Sequence, residues 1–67
     1  MKITLKGARV SKELTQAAAA KALGTTPQTL SSYELYKASP DARMVEKILA
    51  LYGRLFEEII WTKDITR

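Results

Sequence analysis

Residues 15–34, TQAAAAKALGTTPQTLSSYE, hold two helix starts and a helix stop in close succession. Thr15 suits an N-cap, where a hydroxyl oxygen takes up one of the backbone N–H groups that a helix start leaves without a partner. Gln16–Leu23 is a run of strong helix formers, and Gly24 tolerates the left-handed backbone just past a helix end. Thr26 and Pro27 repeat the start signal, since proline at the first helical position gives up an N–H that would have had no partner. The spacing predicts one helix over 16–23 and another from 27 to about 35, joined by a turn of about three residues. Two helices joined in this way form a helix-turn-helix arrangement. Ala17–Ala20 fit it in two ways: short side chains allow close approach to neighbouring helices, and alanine is the strongest helix former.

Outward from this pair, Leu5, Ala8 and Leu14 recur at roughly helical spacing among Lys2, Lys6 and Lys12, predicting a first amphipathic helix over about 5–13. On the other side Asp41, after Pro40, is an N-cap candidate. Val45, Ile48, Leu49 and Tyr52 then follow the i, i+3, i+4, i+7 pattern until Gly53 closes the helix. Leu55, Phe56, Ile59 and Ile60 form another apolar stripe, predicting a fifth short helix, while residues 61–67 fit either a strand or a tail. The expected class is all-α: a bundle of about five short helices in one domain over residues 1–67, with its core at about 4–61 and a tail at 62–67.

Sixty-seven residues give room for one small core. Without Cys or His there is no disulfide, no ordinary zinc site, no thiol nucleophile and no imidazole base. Glu57 and Glu58 are adjacent rather than convergent, Ser11, Ser31 and Ser32 have no His to activate them, and there is no Gly-rich phosphate loop. No enzyme activity, catalytic residue, metal, cofactor or small-molecule ligand is therefore expected. No apolar run reaches the length of a membrane span, and the N-terminal residues lack the pattern of a secretion signal, so a cytoplasmic location without a membrane partner is expected.

Eleven Lys and Arg against seven Asp and Glu give a formal charge of +4. The excess is confined to residues 1–43, where Lys2, Lys6, Arg9, Lys12, Lys21, Lys37 and Arg43 face Glu13, Glu34 and Asp41, while residues 44–67 are balanced. One basic face and one neutral, more apolar face follow, the first of the sign that meets phosphates. At 100° per residue, Gln28, Thr29, Ser32 and Tyr36 share one side of the helix from residue 27, and Leu30, Tyr33 and Glu34 fall on the other. A helix fits the DNA major groove, where Gln pairs with adenine and Ser or Thr bonds either kind of base edge. The same side also fits an ordinary solvated surface. Against that, solvated faces favour long Lys and Glu side chains, and residues 27–34 contain no Lys. Lys2, Lys6, Lys12, Lys21, Lys37 and Arg43 fit either a phosphate clamp or plain solubility. Arg9 and Glu34 stand in otherwise apolar stripes, which points to a partly buried ion pair between the first and third helices.

Leu5, Arg9, Leu14-Thr15-Gln16, Leu23-Gly24-Thr25-Thr26, Gln28-Thr29-Leu30 and Tyr33-Glu34 together resemble the lambda-repressor-like helix-turn-helix family of phage repressors and Cro proteins. The likeness covers residues 5–60 and extends to Pro40, Leu51-Tyr52-Gly53 and Phe56-Glu57-Glu58-Ile59. It implies that Gln16 starts its helix at a phosphate and buttresses Gln28, which reads a base, with Ser32 a second reader. It further implies that Thr26 and Thr29 contact phosphates or bases, that Lys37 lies in a loop gripping the backbone, and that Arg9 and Glu34 form the family's buried ion pair. Thr15, Tyr36, Lys12 and Lys21 complete the expected backbone set. Such proteins bind near-palindromic double-stranded DNA operators as homodimers. Leu35-Tyr36 departs from the family, which commonly has a turn-forming Asn or Gly after the position of Glu34. Pro27 replaces a polar reader, and Arg54-Leu55 stands where a small hydrophilic cap is usual. Folds do not fix functions, and a protein-interaction module is the second reading: Leu55, Phe56, Ile59, Ile60 and Trp61 would bind a partner, a second copy, or the protein's own core.

Overall fold

Four side chains set the helix starts. In the computed structural model, which describes residues 2–62, Thr4, Thr15, Thr26 and Asp41 are extended. Their side-chain oxygens accept from the backbone N–H of Gly7 (2.9 Å), Ala18 (3.0 Å), Thr29 (3.2 Å) and Met44 (2.8 Å). The helices that follow are α1 (Leu5–Ser11), α2 (Gln16–Leu23), α3 (Pro27–Glu34) and α4 (Ala42–Tyr52).

Their exits share one geometry. Each is followed by a residue of positive φ: Glu13 (59°), Gly24 (75°), Tyr36 (61°) and Gly53 (66°). The next N–H then reaches back to a carbonyl within the helix, from Leu14 to Arg9 (3.3 Å), Thr25 to Ala20 (2.9 Å), Lys37 to Ser32 (2.9 Å) and Arg54 to Leu49 (3.3 Å). This is the Schellman closure, which supplies partners for the last carbonyls of a helix. Only two of the four positions carry glycine, so Glu13 and Tyr36 each bear the steric cost of the left-handed conformation.

The predicted fifth helix does not form, and the all-α expectation is corrected to a mostly helical fold with a small sheet. Leu55 is extended, Phe56–Glu58 make a single 3₁₀ turn, and Ile59–Ile60 form a strand, β2. The turn is closed from both sides: the Glu58 carboxylate accepts from the Leu55 N–H (2.9 Å), and the Glu58 N–H donates to the Leu55 carbonyl (2.9 Å). Strand β2 pairs in parallel with β1 (Ile3–Thr4), placing Ile3 beside Ile59 and Thr4 beside Ile60. Two adjacent β-branched residues favour an extended backbone. α1 is also shorter than its stripe implied, ending at Ser11. Most of the predicted tail, residues 63–67, lies outside the described residues.

The core joins Leu5 and Ala8 of α1, Ala19, Ala20 and Leu23 of α2, Leu30 of α3, Ile48 and Tyr52 of α4, and Ile59 of β2. The alanine run divides: Ala19 and Ala20 are buried, where the absence of a long side chain brings α2 close to its neighbours, and Ala17 and Ala18 are exposed. Among the described residues no helix is long and apolar enough to cross a membrane.

Candidate nucleic-acid interface

Helix α3 opens with Pro27 and Gln28, both exposed. The Thr26 hydroxyl caps the helix and donates to the Thr29 hydroxyl oxygen (3.0 Å), which fixes Thr29 and leaves its own hydroxyl hydrogen free. Ser32, one turn on, is half-buried. Gln28 is therefore the one fully exposed amide on a short polar surface, and Thr29 and Ser32 lie lower beside it. Tyr36 does more than face outward: its hydroxyl donates to the Ile60 carbonyl (3.3 Å), tying the exit of α3 to β2. Lys37 follows it and is exposed, as are Lys2, Lys6, Lys21 and Arg43.

The start of α2 borders an open depression of about 490 Å³, lined in part by Lys6, Thr15, Gln16 and Ser31. The first backbone N–H groups of a helix and its dipole give such a place a positive bias. Thr15 is exposed and Gln16 half-buried. The Gln16 amide nitrogen donates to Glu34 Oε1 (3.0 Å), whereas the resemblance had implied Gln28 as its partner. Ser31 was missed in the sequence, where nothing marks a residue of α3 as facing the start of α2.

Behind the depression Arg9 and Glu34 are paired, Nε to Oε2 at 2.7 Å and Nη2 to Oε1 at 3.4 Å, at 7% and 9% exposure. Arg9 Nη1 also donates to the Leu14 carbonyl (2.7 Å). The guanidinium thus holds α3 and the α1–α2 connection, and two hydrogen-bonded charges share the cost of burial. Tyr52 lies in the field of this pair. Burial first, and the negative charge of Glu34 second, push its phenol up to about 12 against an opposing effect of Arg9. Its hydroxyl is buried with no hydrogen-bond partner among the described residues.

Lys12 stands differently from the other cations: its ammonium would lie 3.3 Å from a Cβ built on Gly53. It is exposed and sits at the carbonyl end of α4, where a cation meets the negative end of the helix dipole.

A helix-turn-helix family model matches residues 5–59, from the first residue of α1 to the first of β2. The chain belongs to the helix-turn-helix family. It is a family of DNA-binding regulators of transcription, in agreement with the resemblance to repressors and Cro proteins. Comparisons with curated proteins and with solved structures gave no match.

The apolar C-terminal stripe of this helix-turn-helix protein is divided. Ile59 is 1% exposed and belongs to the core, which corrects its assignment as a partner contact; the extended backbone turns it inward, beneath the sheet. Ile60 is half-buried, with its carbonyl taken by Tyr36. Leu55 and Phe56 are 61% and 55% exposed. Trp61 stacks on Phe56 with ring centroids 5.3 Å apart, and its indole N–H donates to the Phe56 carbonyl (2.9 Å). What remains outside is a small aromatic surface rather than a continuous helical face.

Proposed function

We propose that this helix-turn-helix protein is a sequence-specific regulator of transcription, a repressor or Cro-like protein that binds a near-palindromic operator as a homodimer with α3 in the major groove. The observation that carries the reading is the exposed Gln28 amide on the first turn of α3, on a face with no charged side chain from Pro27 to Tyr33. Helices α2 and α3 with the turn Gly24–Thr26 form the reading unit, and Gln28 pairs with adenine, supported by Thr29 and Ser32. Thr15, Gln16, Thr26, Lys21 and Lys37 meet the phosphate backbone and fix the register without reading sequence. Two half-sites about one helical turn apart match a two-fold dimer. Leu55, Phe56 and Trp61 form the dimer contact. Selection of bound duplexes from a random pool tests all of this together. A symmetric enriched motif is the expected result, and recovery of unenriched sequence refutes the reading.

The exposed Phe56 and Trp61 stack favours one other reading, a module that captures another protein through this surface. Sedimentation with and without DNA separates the two. A monomer that ignores DNA and sediments with a partner supports the module, and a dimer on DNA supports the regulator.

A further inference from the structure

The pair joining α1 to α3 is extended by one more hydrogen bond. Glu34 receives Arg9 Nε on Oε2 at 2.7 Å and the Gln16 amide nitrogen on Oε1 at 3.0 Å, so one carboxylate holds side chains from both preceding helices. A carboxylate only accepts, which settles that the nitrogen of the Gln16 amide faces inward; its second N–H and its oxygen have no partner among the described residues. Gln16 is also the first residue of α2 and lines the open depression with Lys6, Thr15 and Ser31.

We infer that Glu34 is a positioning residue for DNA binding as well as half of an ion pair: it holds the Gln16 amide in one rotamer, with the free N–H presented to a phosphate oxygen before DNA arrives. The inference rests on the regulator reading above. Arg9 is needed for it, because an unpaired carboxylate beside an approaching phosphate would repel it, whereas the paired one keeps its acceptor geometry with little net charge. An amide already held at folding loses less freedom on binding, which for one rotamer-rich side chain is worth roughly two- to tenfold in affinity.

The test is a cycle of wild type, Q16A, E34Q and the double variant, with affinity for a short mixed-sequence duplex measured at low ionic strength, where backbone contacts dominate. The expected result is that E34Q, whose loss of a negative charge acts alike in both backgrounds, is less favourable to binding by roughly two- to tenfold when Gln16 is present than in the Q16A background. Equal changes in both backgrounds overturn the inference, because a purely structural Glu34 would act without regard to residue 16. If E34Q does not fold, side-chain amide relaxation in the free wild type replaces it. A Gln16 amide more rigid than that of Gln28 supports the inference, and equal mobility overturns it. Folded wild type that ignores the duplex removes the regulator reading and this inference with it, whereas binding with equal changes removes this inference alone.

Discussion

Tyr52→Phe is expected to make the protein more stable, and increasingly so in alkali. The ring is buried at 0% exposure while the hydroxyl finds no partner among the described residues. An unsatisfied hydroxyl of this kind costs about 1–3 kcal/mol, so its removal, with the ring left in place, stabilises by about 1–2 kcal/mol at neutral pH. The alkaline part follows from the phenol being pushed up to about 12 in the fold from its ordinary 10.0. Below the lower value the group is neutral in both states. Above it the unfolded chain loses its proton first, so unfolding releases a proton and stability falls with rising pH until the folded phenol ionises too. At 1.36 kcal/mol per pH unit, Tyr52 removes about 1.3 kcal/mol of stability between pH 9 and pH 11, and the Phe variant lacks this loss. Urea denaturation followed by far-ultraviolet circular dichroism at pH 7, 9 and 11 measures both parts. A Phe variant less stable than wild type at pH 7, or two curves that fall in parallel from pH 9 to pH 11, would refute the reasoning.

Gln28→Ala is expected to cost about 1–3 kcal/mol on the selected operator and to relax discrimination at one base position; equal losses on every sequence would remove Gln28 as a reader. Lys37→Ala should weaken binding to all DNA alike and reduce the slope of log affinity against log salt by about one, and a titration with unchanged slope takes Lys37 out of the backbone contacts. Gly7→Ala would ordinarily stabilise a helix interior by about 1 kcal/mol. Here the new Cβ would lie 2.9 Å from Ile3 Cγ1 and 3.0 Å from Thr4 Oγ1. Overpacking outweighs propensity, and thermal melting should show net destabilisation of about 1 kcal/mol; a raised melting temperature would refute the close contact.

What was legible in the sequence was local. Thr15, Gly24, Thr26-Pro27, Asp41 and Gly53 each act within one helical turn, and the bounds of α2 and α4 and the start of α3 follow from them. The left-handed exits at Glu13 and Tyr36 were hidden because the residue types that mark such exits are absent there. Leu55–Ile60 misled through periodicity: apolar residues at positions one and four apart fit a helical stripe, yet the segment is extended on both sides of one tight turn. Its strand partner lies at the far end of the chain, beyond any window of local pattern. At the site, charges standing in apolar stripes marked Arg9 and Glu34, whereas the bond from Gln16 to Glu34 depends on how three helices meet and has no sequence signature.

Thr4 serves two elements at once. Its backbone lies beside Ile60 in the sheet and its hydroxyl closes the first turn of α1. Pulling the second strand away would disturb both, and would expose Ile59 and break the Tyr36 tether in the same event. Fraying from either side is thereby coupled, so the amides of α1 and of the second strand should exchange with solvent together. The frame that carries α3 therefore opens as a unit rather than loosening residue by residue.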